Sequence, residues 1–168
     1  MIALAIENRK QFMSCLLTAG VFDAFWISEA TLRTSVTFSI DTHLTKGFYS
    51  TEDLESLHLK EGDPLPFSML RPTFYELIRG THTPLYFQFV LMLPPDMTAD
   101  LLAESDTGMT DADVSGLFLN LTFQNGTLRV TSAVSYRSFR PDHSVDRIWD
   151  RTVRQLLEKN GIIFEEIG

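Results

Sequence analysis

The stretch that decides the fold is Leu117-Phe118-Leu119-Asn120-Leu121-Thr122-Phe123-Gln124-Asn125-Gly126-Thr127-Leu128-Arg129-Val130. Leu or Phe recurs at every second position from Leu117 to Phe123, the period of a strand with one buried face. Asn125-Gly126 follows, and both central residues of a type I′ turn need the positive φ that Asn and Gly tolerate best. A two-residue turn fixes the register. Phe123 faces Leu128, Leu121 faces Val130, Leu119 faces Ser132 and Leu117 faces Val134. All these partners are apolar except Ser132, so turn and pattern agree. The opposite face carries Phe118, Asn120, Thr122, Arg129, Thr131 and Ala133 and reads as wet.

Working outward, Ile2 to Ile6 reads as a short apolar strand. Asn8 can cap a helix reaching about Ala19, with Phe12, Leu16 and Ala19 on one face and Gly20 as its stop. Residues 25–33 and 36–41 alternate as a hairpin joined at Thr34-Ser35. Trp26, Ala30 and Leu32 share one side of the first strand, and Val36, Phe38 and Ile40 one side of the second. Thr51 is the expected N-cap of a short helix, residues 60–66 form a loop, and Pro72 opens a helix running to Arg79. Residues 84–93 are apolar on both sides, the mark of a central or doubly covered strand. A short helix over 95–104, an acidic loop over 105–113, a helix from Ser144 to Asn160 and an edge strand over 162–167 complete the chain. The last helix carries Val145, Ile148, Trp149, Thr152, Val153, Leu156 and Leu157 at helical spacing.

Hairpins outnumber βαβ units, so the fold class is α+β: one domain over 1–168 with a mainly antiparallel sheet of six to seven strands. The helices are expected chiefly on one face, with Trp26 and Trp149 in the core.

Composition narrows function by exclusion. The 168 residues are 44% hydrophobic and 21% charged, as in soluble globular domains, which excludes a disordered tail. Net charge −8 argues against coating nucleic acid or an anionic membrane by bulk attraction. Cys15 stands alone and no basic stretch precedes the first apolar residues, so a reducing, cytoplasmic setting without membrane insertion is expected.

Chemistry-bearing residues are sparse. His43, His58, His82 and His143 lack a partner at metal-ligand spacing, and solvated loop histidines outweigh ligands. Asp96 to Asp113 holds six acids and no base. Asp106, Asp111 and Asp113 could gather around Ca²⁺ or Mg²⁺, but EF-hand spacing is absent and a solvated acidic loop is favoured. Arg129, Arg137, Arg140, Arg147, Arg151 and Arg154 are six of the ten arginines, opposed between 129 and 154 only by Asp142, Asp146 and Asp150. They form a candidate anion or nucleic-acid face, weighed against a solvated helix face with i,i+3 and i,i+4 pairs. Asp41 and His43, with Arg71 and Arg79 on the helix after Pro72, form a candidate ligand pocket. No catalytic motif, metal site or cofactor motif is recognised.

Several stretches resemble an uncharacterised family of small proteins from Firmicutes, mostly clostridia-like. They are Met1-Ile2-Ala3-Leu4-Ala5-Ile6-Glu7-Asn8, Phe38 to Leu44 with Lys46-Gly47-Phe48-Tyr49, Leu70 to Leu85, and Gly116-Leu117-Phe118-Leu119-Asn120. The resemblance runs over nearly the whole chain and implies a bacterial cytoplasmic protein. The family's function is unknown, so it supplies no site residues.

The leading expectation is therefore a non-catalytic binding or interaction module, with an unknown protein or a second copy as partner. A face of the 84–93 strand left uncovered by helices would seek such a partner. The alternatives are polyanion binding through the arginines of 129–154, and a small-ligand protein or enzyme with a pocket near Asp41 and His43.

Overall fold

A computed structural model describes residues 1–168. Its elements, in chain order, are β1 (Ala3–Ile6), α1 (Arg9–Leu17), β2 (Trp26–Arg33), β3 (Thr37–Asp41), α2 (Thr51–Leu57), β4 (Leu65–Pro66), α3 (Phe67–Ile78), β5 (Tyr86–Met92), α4 (Pro95–Ala103), β6 (Val114–Gln124), β7 (Thr127–Tyr136), α5 (Ser144–Lys159) and β8 (Phe164–Glu166). They build an α+β fold around one eight-stranded antiparallel sheet in the order β3-β2-β5-β6-β7-β1-β8, with β4 beside β2.

The β6–β7 hairpin has the register that its turn demands: Phe123 opposite Leu128, Leu121 opposite Val130, Leu119 opposite Ser132 and Leu117 opposite Val134. Asn125 and Gly126 both take positive φ, 51° and 74°, as a type I′ turn requires. Alternation then places one parity of every strand on a single core. Leu4 and Ile6 of β1, Phe87, Phe89 and Leu91 of β5, Leu117 to Phe123 of β6, and Leu128 and Val130 of β7 are buried there.

The helices pack chiefly on that face. In α5 the fully buried Val145, Trp149, Val153 and Leu157 recur every fourth residue, and the Trp149 indole N–H donates to the Phe118 carbonyl at 2.8 Å. Helix α3 buries Phe67 and Phe74, which extend an aromatic chain through Phe89 and Phe87 to Phe123. A cavity at Phe89, fully buried in this chain, would cost about 3–5 kcal/mol.

Several local expectations need correcting. Asn8 makes no side-chain cap on α1, which ends at Leu17, and Leu65–Pro66, expected in a loop, form β4. Trp26 is not in the core. The β2–β5 register shifts between Ile27 and Glu29, so Ile27, Ala30 and Leu32 point inward and Trp26 is left half-buried on the far face. A bulge adds a residue to one strand and reverses the parity beyond it. Pro72 does not open its helix but lies inside α3, where Phe67 and Phe74 anchor the turns on either side. Ser50, not Thr51, caps α2, because only Ser50 places its hydroxyl on the Asp53 N–H while Asp53 returns a bond to the Ser50 N–H.

Candidate functional site: the open face of the sheet

Side chains of the other parity form a face opposite the packed helices. The pairings arrange them in rows across the strands. One row is apolar: Trp26, Met92, Phe118 and Ala133. The next runs Asp41, Glu29, Val90, Asn120, Thr131, Ala3. A third runs Ser39, Thr31, Gln88, Thr122, Arg129, Ala5. Over β5 and β6 this face holds no charge at all. Glu29 and Arg33 flank it on β2, Asp41 on β3 and Arg129 on β7, with the Arg33 guanidinium over the Tyr86 ring at 5.7 Å from its centroid.

The apolar row is closely packed within itself. A Cβ at Gly116 would lie 2.7 Å from the Phe118 ring and 3.6 Å from the Met92 sulfur, so only glycine lets the ring lie flat there. Phe118, Asn120, Thr122 and Thr131 are each half-buried by their neighbours. The result is a broad surface of amides, threonine methyls and aromatic carbon, chemically close to the charge-poor centre of a protein interface.

The residues expected to form a pocket near Asp41 fall in three places. His43 Nδ1 lies 2.8 Å from Asp41 Oδ1, which also accepts from the His43 main-chain N–H at 3.1 Å. The ring contact first, and then the main-chain bond, hold the Asp41 carboxyl below the usual carboxylate range. Thr42, between them, is buried and donates to the Ile27 carbonyl, so its hydroxyl belongs to the sheet. Arg71 lies elsewhere, forked onto Asp23 at 2.8 and 3.0 Å with a third bond to the Leu17 carbonyl at 3.4 Å. That arrangement clamps α3 to the end of α1. Arg79 pairs with Glu76 at 2.9 Å beside a cleft of its own.

The six arginines do not gather on one surface. Arg129 is on the open face, whereas α5 carries Arg147, Arg151 and Arg154 on the helix side. Arg154 is paired with Glu166 at 2.8 Å. Arg137 donates to the Asp111 carbonyl at 3.2 Å, and Arg140 pairs with Asp113. One ion pair, Arg140 with Asp113, thus joins the arginine segment to the acidic one. No group of three His, Cys, Asp or Glu side chains is placed to hold a metal ion. No helix is long and apolar enough to cross a membrane.

Sequence reasoning identified the wet side of the β6–β7 hairpin but missed its continuation over β2, β3 and β5. The signal for β5 was present, since Gln88 interrupts its otherwise apolar run.

Fold and surface together define a single-sheet α+β protein with helices on one side and a charge-poor sheet face on the other. The chain belongs to DUF5721, a family of unknown function, whose model matches residues 15–165. No curated protein and no solved structure matches it.

Proposed function

We propose that the chain is a non-catalytic binding module of the cytoplasm, and that it pairs with a second copy of itself through the open sheet face. One observation carries this reading: the centre over β5 and β6, which holds no charge, is flanked by Glu29 and Arg33 on β2 and by Arg129 on β7. Glu29 is on β2, one strand outside β5, and Arg129 is on β7, one strand outside β6. A twofold axis parallel to the strands, between β5 and β6, lays β2 of one copy over β7 of the other. With strands about 4.8 Å apart, Glu29 and Arg129 each lie about 7 Å from that axis, and Arg129 of one copy falls two residues, about 7 Å, along the strand from Glu29 of the other. Arg33, as far away on the other side, is held over the Tyr86 ring of its own copy. Sheets stacked face to face sit about 10 Å apart, a gap that Glu and Arg side chains together can span.

The area sets the expected strength. Five strands by about six residues give a face of roughly 500 Å² per copy, or about 1,000 Å² in total, at the low end for specific association. Micromolar dimerisation follows, with the charge pairs setting orientation more than affinity.

Sedimentation velocity with charge reversals tests the reading. Wild type dimerises with rising concentration, while Glu29→Arg and Arg129→Glu each remain monomeric because like charges then meet. Mixing the two variants restores a dimer, since each copy supplies what the other lacks. A wild type that stays monomeric at about 100 µM, or single variants that dimerise as wild type does, would overturn the proposal.

A further inference from the structure

On the helix side, away from the proposed interface, a cleft of about 510 Å³ opens between α1, the end of α3 and the β6–β7 turn. Its floor is apolar: Met13, Leu17, Ile78, Phe87, Phe123 and Leu128. Its rim carries the cations Arg9, Lys10 and Arg79 beside the His82 imidazole, and no acid lines it. A second cleft, at the end of the sheet where Arg33 and Tyr86 stand on the open face, shares Arg9 and also lacks an acid. In a chain of net charge −8 this concentration of cations runs against the average.

Two of the cations stand where helix physics disfavours them. Arg9 and Lys10 begin α1, whose first turn holds no acid. The N-terminal end of a helix already carries partial positive charge, so bases there are destabilising and an anion is favoured. Asn8, at the N-cap, makes no capping bond. It donates instead to the Gly161 carbonyl at 2.9 Å and accepts from the Ile163 N–H at 2.8 Å. The first turn therefore has no side-chain acceptor of its own.

The rim is also held in place. Arg9 donates to the Gly126 carbonyl at 2.5 Å, which fixes it over the hairpin turn. Arg79 is engaged by Glu76 through Nε. The Phe87 and Phe123 rings stack at 5.5 Å, with Phe87 almost wholly buried, so the floor is rigid.

We infer that this cleft binds a soluble phosphomonoester of an apolar alcohol. Several cations around one opening suit a dianion better than a monoanion, and guanidinium forks match phosphate oxygens. The apolar floor takes the chain that the phosphate carries, and the volume lies in the range of small-molecule sites.

Calorimetry with hexyl phosphate tests the assignment, with inorganic phosphate and hexanol as the two half-ligands. Hexyl phosphate binds at least about tenfold more tightly than either, because head and tail are engaged together. Exchanging both Lys10→Gln and Arg79→Gln weakens it at least about tenfold, with a ligand-free melting temperature no lower than that of wild type. Vesicles carrying phosphatidic acid leave the protein in the supernatant, since an anionic surface repels it. The inference is overturned by no saturable binding of hexyl phosphate, by equal binding to the double variant, or by co-sedimentation with the vesicles in place of soluble binding.

Discussion

The Ser132 hydroxyl donates to the carboxylate of Asp150, joining the middle of β7 to the middle of α5 in the buried interior. The same oxygen accepts from the Ile2 N–H at 2.9 Å. Asp150 also accepts from the Met1 amine at 3.0 Å. This accounts for the one polar residue in an otherwise apolar hairpin register. Ser132 is where the first strand, the hairpin and the last helix share a hydrogen bond.

Ser132→Ala is therefore expected to destabilise the fold by about 2–3 kcal/mol, because it leaves a buried carboxylate oxygen and a buried N–H without their partner. Urea denaturation measures it as a lower midpoint at unchanged slope. An unaltered midpoint would contradict the bridging role. Ser132→Thr, which keeps the hydroxyl, should recover part of the loss.

Tyr136 gives a prediction at the alkaline end. Burial first, and then the hydrogen bond to Asp146 at 2.6 Å, push the phenol well above its ordinary pKa of 10.0. A raised folded-state pKa means that unfolding releases the proton more readily, so its stabilisation is complete below pH 10 and lost as pH rises beyond it. Absorbance titration should show one of the four tyrosines ionising last, together with unfolding. Tyr136→Phe should flatten the alkaline fall in stability and cost about 1 kcal/mol near neutrality. A Tyr136 that titrates with the other three refutes the assignment.

Helix α2 behaves oppositely in pH and in extent. Its cap depends on Asp53, whose carboxyl is held below the usual range by the Ser50 hydroxyl first and the Ser50 N–H second. A depressed folded-state pKa gives stabilisation that is present above pH 3.8 and lost as pH falls through the folded value. No residue of α2 is buried, so the loss is local. Asp53→Ala or Ser50→Ala should speed amide exchange over 51–57 and leave the global unfolding midpoint unchanged. A global shift would show that α2 is coupled to the core.

How far the fold could be read from sequence depended on whether the deciding interaction was local. The β6–β7 register was legible because turn chemistry and side-chain alternation are both short-range and agree. The α5 stripe was legible for the same reason. The two-residue strand β4 was not, since it lies in what reads as a loop and exists only by pairing with β2. Nor was the side that Trp26 faces, because the bulge that turns it outward is set by β5, roughly sixty residues away. The candidate surfaces were less legible still. The Asp41–His43 pair was found from its spacing, whereas Arg71 proved to be a clamp and the cleft cations of α1 were missed. A first helical turn with two bases and no acid was the available signal.

The position of β1 has a consequence for synthesis. It is made before the other strands of this sheet, yet its two neighbours are β7 and β8. Its pairings join Leu4 to Val130 on one side and to Glu166 on the other. For most of translation an apolar strand therefore waits with both edges open, while β2, β3 and β5 can already assemble among themselves. Strand edges of this kind invite wrong partners, and contacts of such long range slow folding. Loss of the last helix or strand should therefore send nascent chains toward chaperones or aggregation rather than yield a smaller folded protein.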